Sequence, residues 1–275
     1  LEVNEYSDID RIDVRSSDGT IKIRSKNYWE VQIDAQTAEV LHVALRRADI
    51  IEDIHDGSWF HENVKLGVVL PVGLVMIASW LTGVYMFGFP FFTKRRKQKS
   101  APTNKRQRNI PTNTNWKKLL RKIHYWGTLI IAIPAIIVIV SGTLLVVADK
   151  FSWIRPKLIP TGVNEIPTVS FVEILSAVQS VPEAQVSGFD DLYRLEVVPA
   201  EGTIKVRTDD NWEIQIDPHR GEVLQSASYS SDIIEAMHDG SWFHEQAKLG
   251  VFLPSAITLF TLWFTGVYLL ALPFW

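Results

Sequence analysis

Aligned at an offset of 183, Gly19–Phe92 and Gly202–Trp275 match without a gap, and 39 of the 74 positions are identical. A match that dense marks an internal duplication. It is also the strongest constraint on the fold, because whatever one copy builds, the other must build from nearly the same residues. The offset continues upstream, pairing Tyr6 with Phe189, Ile9 with Leu192 and Arg11 with Arg194. Leu1 therefore falls where the second copy is already mid-domain. The first copy is expected to lack its front end, with the counterpart of Trp116–Ser180 lying before Leu1.

Each copy ends in a run with no charged residue, Leu66–Phe92 and Leu249–Trp275, and a third run, Tyr125–Ala148, lies between them with Pro134 inside. Each is long enough to cross a bilayer as a helix. Although 47% of the chain is apolar, mean hydropathy is near zero, so water-facing and lipid-facing stretches must alternate. Charge is segregated as well. Thr93–Lys122 holds 12 of the 28 Lys and Arg residues and no acid, leaving 16 basic against 31 acidic residues elsewhere. A polybasic segment between two spans is what the positive-inside rule keeps in the cytoplasm. It places this segment as a cytoplasmic loop and makes no case for nucleic acid as a partner.

The polar stretches carry a second pattern. Short alternating runs (Ile21 and Ile23, Val31 and Ile33) with a turn at Asp18-Gly19 predict a half-buried antiparallel sheet over Leu1–Leu45. In the second copy, strands are expected at Leu192–Pro199, Gly202–Thr208, Trp212–Asp217 and Glu222–Leu224, after an amphipathic helix over Thr168–Ser180. Helical spacing returns at Ala48–Phe60 and Asp232–Phe243, just before each terminal span. The fold class is an α+β membrane protein, a transmembrane helix bundle with two small extracytoplasmic α+β modules in tandem. Its boundaries are a first module at 1–47, a histidine motif and span at 48–92, the basic loop at 93–122, a span at 123–149, a second module at 150–231, and a second histidine motif and span at 232–275.

The chemistry rests on histidine. There is no cysteine, which removes disulfides, thiolate metal sites, iron–sulfur clusters and covalently attached haem. His-Asp-Gly-Ser-Trp-Phe-His-Glu occurs twice, as His55–Glu62 and His238–Glu245, each time where a span meets water. His124 stands at the start of the middle span. On an uninterrupted helix, His124 and Gly142 are 18 residues apart, about five turns and ~27 Å, so they share a face. His61 and Gly83, and likewise His244 and Gly266, are 22 apart, close to six turns. Antiparallel packing would then set Ser141-Gly142-Thr143 beside the outer histidines and Gly83 and Gly266 beside His124. Such small residues would let a flat macrocycle approach the backbone, although they also serve plain helix packing in bilayers. His55 and His61 lie ~240° apart on one helix, so one helix cannot aim both at the same iron unless Gly57 breaks it. His42 and His219 have Gln225 and Gln36 as counterparts and read as surface residues. Asp56 and Asp239 are either acceptors that orient an imidazole or ordinary turn residues.

The strand Trp212-Glu-Ile-Gln-Ile-Asp217 and the turn Arg220-Gly-Glu-Val223 resemble a PepSY domain. Lys122-Ile-His-Tyr-Trp-Gly127, the His-Asp-Gly motifs and Thr-Gly-Val-Tyr (Thr82–Tyr85, Thr265–Tyr268) resemble the PepSY-associated transmembrane family. That resemblance covers nearly the whole chain. It implies PepSY-like modules on the periplasmic side of a bacterial cytoplasmic (inner) membrane. It also implies similarity to ferric-siderophore reductases that hold haem b between histidines of their membrane helices; in this chain more than one haem b, with bis-histidine ligation, is expected. The ligand set is His124 with His55, His61, His238 and His244, and Gly83, Gly142 and Gly266 line the cofactor. Geometry favours His61 and His244, and the family's His-x-Gly favours His55 and His238; both pairs are kept.

Three functions are compatible with this pattern. The first is a haem-dependent oxidoreductase of the ferric-chelate reductase type, passing electrons from a cytoplasmic donor or a quinol to an extracytoplasmic acceptor such as a ferric siderophore. The second is a membrane-anchored PepSY module that binds a partner such as a secreted peptidase. The third is a histidine-lined metal or proton path. No Walker loop, Gly-x-Ser-x-Gly, His-Glu-x-x-His or nucleotide fingerprint occurs, since Lys65 stands where the second zinc histidine would be. Reducing equivalents must therefore come from another molecule.

Overall fold

The computed structural model describes residues 3–15, 18–93, 115–163 and 165–271, so most of the predicted basic loop and the last four residues of the final span lie outside the described residues. The elements in chain order are strands β1 (Ile9–Arg15), β2 (Thr20–Ser25), β3 (Trp29–Asp34) and β4 (Val40–Leu45), then helices α1 (Arg47–Asp56), α2 (Leu70–Thr93), α3 (Asn115–Val146) and α4 (Phe171–Gln179). Strands β5 (Leu192–Val198), β6 (Thr203–Thr208), β7 (Trp212–Ile216) and β8 (Val223–Ser228) come next, and α5 (Ser231–Asp239) and α6 (Leu253–Ala271) close the chain. The bounds of β1, β2 and β4 recur at the same 183-residue offset in β5, β6 and β8. Most predicted elements fall within a few residues of these. The largest difference is α3, which starts ten residues before Tyr125; β8 runs to Ser228 instead of Leu224, and α1 and α5 stop at Asp56 and Asp239 instead of Phe60 and Phe243.

The chain divides into two compact units, Leu1–Gly67 with Val146–Asp232, and Val68–Leu145 with Ile233–Trp275. The first is built on a sheet. The sequence pattern predicts two separate modules, whereas the described residues form one eight-stranded antiparallel sheet in the order β4-β3-β2-β1-β5-β6-β7-β8. The physical reason lies at its centre. In a separate four-stranded module, β1 and β5 would each expose an edge of unpaired backbone N–H and C=O groups. Instead they pair with each other, Ile12 with Val197, Asp13 with Glu196 and Val14 with Leu195.

One face of this sheet is apolar. Helix α4 is capped by Ser170 and Glu173 in a reciprocal box, which satisfies two otherwise orphaned N–H groups, and it lays Ile174 and Val178 onto the strands. Ile204, Val206, Ile214 and Ile216 beneath it are at most 1% exposed, each stabilising by about 1.5–3 kcal/mol relative to exposure.

The opposite face is ionic. Asp13 and Glu196, both buried, sit directly across from one another at the β1–β5 junction, a pairing of like charges that is unfavourable by itself. Arginines offset it. Arg24 reaches Asp13 at 3.0 Å and Arg194 reaches Glu196 at 2.8 Å, with Arg11 and Arg207 within 4 Å of Glu196. Arg24 and Arg207 also hold Glu30 and Glu213.

The second unit contains the apolar helices. Three stretches among the described residues, Lys65–Phe89, Lys118–Val146 and Glu245–Ala271, are long and apolar enough to cross a membrane. The first and third do not begin as plain α-helix. Each has a π-helical turn, Lys65–Val69 and Lys248–Phe252, just ahead of Leu70-Pro71 or Leu253-Pro254. Proline has no N–H to donate and its ring crowds the preceding turn, so these wider turns stand where regular hydrogen bonding is already interrupted. Close approaches join the helices. A Cβ on Gly73 would come within 2.6 Å of Thr143, one on Gly127 within 3.1 Å of Leu262, and Trp80 donates its indole N–H to the Ala132 carbonyl at 2.9 Å.

Burial alone would raise the Glu196 carboxyl, but Arg207, Arg194 and Arg11 outweigh it and hold its pKa below the ordinary carboxylate value. A depressed folded-state pKa contributes stability that is complete above the unfolded value and is lost as pH falls through the folded one. Glu196→Gln should therefore cost about 3 kcal/mol at pH 7, in the range for breaking a buried ion pair. The deficit should shrink toward pH 3, which urea unfolding of both proteins at the two pH values would measure.

Candidate functional site

The repeated octapeptide folds the same way in each copy. Helices α1 and α5 end at Gly57 and Gly240, whose φ values are +86° and +87°, a left-handed conformation that glycine adopts without strain. The chain then turns through Ser-Trp-Phe and restarts at a single helical turn, Glu62–Val64 or Glu245–Ala247. The first histidine of each motif thus stands on one helix and the second heads the next. The shared face expected for His61 with Gly83, and for His244 with Gly266, requires continuous α-helix. It does not hold, because each histidine is an extended N-cap residue (φ −176° and −175°) and a π-helical turn intervenes.

The two kinds of histidine differ in what their Nδ1 atoms do. His61 Nδ1 accepts the backbone N–H of Asn63 at 3.1 Å, and His244 Nδ1 accepts that of Gln246 at 3.1 Å. An accepting Nδ1 carries no proton, so the neutral ring has its proton on Nε2.

His238 is the reverse. Its Nδ1 lies 3.0 Å from the Val138 carbonyl oxygen and 3.1 Å from Ser141 Oγ. A carbonyl can only accept, so Nδ1 carries the proton and donates, which leaves the lone pair on Nε2. The Ser141 hydroxyl agrees, since it spends its own proton on the Ile137 carbonyl at 2.6 Å. His124 obeys the same logic at the other end of α3. Its Nδ1 is 3.2 Å from Thr265 Oγ1, whose proton goes to the Leu262 carbonyl at 3.0 Å. A hydroxyl proton given to that carbonyl leaves Oγ1 to accept from a protonated His124 Nδ1.

Glycine makes room for one of these rings. A Cβ on Gly142 would lie 2.9 Å from His238 Cε1, and one on Gly266 would lie 3.7 Å from His124 Cε1. Gly83, expected beside His124, has nothing within 4 Å. The second unit therefore brings together His238 with Ser141 and Gly142, and His124 with Thr265 and Gly266. His55 is an exposed residue of α1, and His61 and His244 are exposed caps.

Asp56 and Asp239 turn out to be turn residues. Asp56 takes the Ser58 backbone N–H and hydroxyl and pairs with Lys65; Asp239 takes the Ser241 N–H and pairs with Lys248. Burial opposes their ionisation, but these donors hold both carboxyls below the usual range. His42 is exposed on β4 and His219 is half-buried near Thr168. Among the described residues, no three His, Asp or Glu side chains gather as a metal site.

Thr265 and the Val138 carbonyl were not anticipated from the sequence. The signal for Thr265 is the repeated Thr-Gly-Val-Tyr, in which the hydroxyl adjoins the glycine. A carbonyl four residues before Gly142 leaves no trace in residue type.

Metal ligation by an oriented imidazole asks for a proton on Nδ1 held by a neighbour and a lone pair on Nε2. His124 and His238 fit that requirement; His61 and His244 fit it only if their caps are broken.

A family model described as the PepSY-associated TM region matches residues 121–274, more than half of the chain. Among curated proteins and among solved structures, nothing matches the chain.

Gly142→Val would push a side chain into the His238 ring and should destabilise the protein by about 1–3 kcal/mol, the usual cost of overpacking. Gly83→Ala should be neutral or stabilise by up to about 1 kcal/mol, since alanine is the better helix former and space is open. Thermal unfolding of both variants in detergent would check this contrast.

Proposed function

The chain belongs to the PepSY-associated TM region family, and on that premise we propose that it is a multi-pass protein of a bacterial cytoplasmic membrane that carries haem b and conducts electrons outward. In this reading the electrons come from a cytoplasmic donor or a quinol on the basic-loop side. They leave to an extracytoplasmic acceptor of the ferric-siderophore kind.

The observation that supports it most is the protonation state imposed on two histidines at two levels of one helix. His124 and the Val138–Gly142 segment that receives His238 are 14 to 18 residues apart on α3, ~21–27 Å at ~1.5 Å per residue. In this reading each ring is held through Nδ1, and Nε2 is the donor that haem iron would take from imidazole. Haem b, when bound, supplies a one-electron ferric/ferrous couple. Val138 and Ser141 fix the orientation of one imidazole, Thr265 fixes the other, and Gly142 lets the first ring lie against the helix backbone. His55 has the place of His238 in the repeat and is the first-copy candidate, and the repeat itself is read as a tandem duplication of module and span.

One observation favours the binding-module reading instead. The edge strand β4 exposes Val40, Leu41 and Val43 at 62%, 53% and 45%, apolar surface of the kind that partners cover.

Expression with added haem precursor and reduction with dithionite separates the two. The expected result is a low-spin b-type spectrum that loses intensity in His124→Ala and, separately, in His238→Ala, and keeps it in His61→Ala and His244→Ala. Absence of any Soret band from the unaltered protein would leave the anchored module as the better account.

A further inference from the structure

Among the described residues the sheet ends in β4 and β8, and the sequence makes these two margins unlike each other. At the 183-residue offset, His42, Val43 and Leu45 of β4 stand against Gln225, Ser226 and Ser228 of β8. Sheet margins are ordinarily blunted by charge or proline, because their unpaired N–H and C=O groups are a template for further pairing. Val40–Leu45 holds no charged residue and no proline, and Val40, Leu41, Val43 and Leu45 are all exposed. Its free backbone groups can be assigned. Arg46 donates its N–H to the Tyr28 carbonyl at 2.8 Å, so in the register that pairs Glu30 with Ala44 and Val31 with Val43, alternate residues, Ala44 and His42, turn their backbone toward β3. Val43 and Leu45 turn theirs to the open edge.

We propose that β4 is a self-association edge, which pairs antiparallel with β4 of a second chain about a two-fold axis at Val43. The junction of β1 with β5 is the precedent within one chain. Those strands are equivalents at the offset and their pairs are symmetric: Ile12 faces Val197, the counterpart of Val14; Val14 faces Leu195, the counterpart of Ile12; and Asp13 faces its own counterpart, Glu196. This sheet already joins equivalent strands edge to edge. At β4 the apolar pattern fixes the register, since residues directly opposite share a sheet face. Val43 and Leu45 lie on the face of Val31 and Trp29, and His42 and Ala44 on the face of Gln32 and Glu30. Setting Val43 of one chain opposite Val43 of the other, with His42 opposite Ala44 on either side, matches both faces. It also brings together two residues whose backbone groups are free. No charge meets a like charge there, whereas the β1–β5 junction needs arginines around Asp13 and Glu196. The same register at β8 would set Ser226 against Ser226, with none of the β-branched packing that stabilises cross-strand pairs. One strand pair is a small interface, so the dimer depends on concentration and is favoured by confinement of both chains to one bilayer. The proposal stands on the sheet and does not depend on the haem reading.

Because the chain has no cysteine, introduced thiols report this register without background. Hydrogen-bonded antiparallel pairs hold their Cα atoms about 5.5 Å apart, within reach of a disulfide. In the full chain, in detergent and in proteoliposomes, mild oxidation of Val43→Cys should give a disulfide-linked dimer. A mixture of His42→Cys and Ala44→Cys chains should do the same. Either of those alone, and Ser226→Cys at the equivalent place on β8, should stay unlinked. Val43→Lys puts like charges at the axis, and Val43→Pro removes an N–H that faces away from β3, a change that edge strands tolerate. Both should abolish the dimer in sedimentation of the chain without introduced thiols, with the lysine variant carrying the test if the proline variant unfolds. Linking of Val43→Cys no faster than that of Ser226→Cys is random collision and overturns the proposal. So does a dimer that Val43→Lys leaves intact, which points to the apolar helices as the interface. A chain monomeric in both media also overturns it, and leaves the edge to an extended segment of a different protein.

Discussion

The junction between β1 and β5 is the interaction on which the sheet unit depends. Three residue pairs convert two four-stranded halves into a single sheet, and they do so by placing two buried carboxylates, Asp13 and Glu196, face to face. Such a junction is stable only if cations arrive with it. The repeat supplies them, because Arg11 and Arg24 recur as Arg194 and Arg207. Each carboxylate is therefore held by its own copy's arginines, and Arg11 reaches across to Glu196 at 3.9 Å. Charge balance at the centre follows from the repeated sequence, since each half brings both signs. Among the described residues, the paired edges leave β4 and β8 as the sheet margins.

The same repeat produces histidines that are not chemically equal. The motif is identical in both copies, yet its first and second histidines fall on opposite sides of a glycine turn. His61 and His244 spend an Nδ1 lone pair capping the next helix, and His238 donates an Nδ1 proton to a helix backbone. Hydrogen-bond direction, more than position in the membrane, is what sorts them. That distinction carries the functional reading, since a metal-binding imidazole and a capping imidazole require opposite tautomers.

Much of the architecture was legible in the residues. Alternation gave the strands, charge-free runs gave the spans, and the constant offset predicted that the elements would recur in step. The joining of the modules was not legible, because edge pairing depends on backbone groups that every residue carries. Nor was the state of His61 and His244 legible, since counting residues along an ideal helix presumes that the helix is continuous. The π-helical turns and the extended caps break that count locally. Conversely, the placement of Gly142 beside a histidine could be anticipated, because α3 is uninterrupted from His124 through that point despite Pro134.

The wide turns at Lys65–Val69 and Lys248–Phe252 act as a phase setting for the apolar helices they lead into. In a helix, one residue more or less rotates everything downstream by ~100°. The side that α2 turns toward its neighbours, with Gly73 against Thr143 and Trp80 reaching the Ala132 carbonyl, is thus decided in the opening turn of the apolar run. Length variation would be tolerated in the polar connections of this protein far more readily than in those five-residue stretches, where a single insertion would swing the wrong stripe of side chains toward α3.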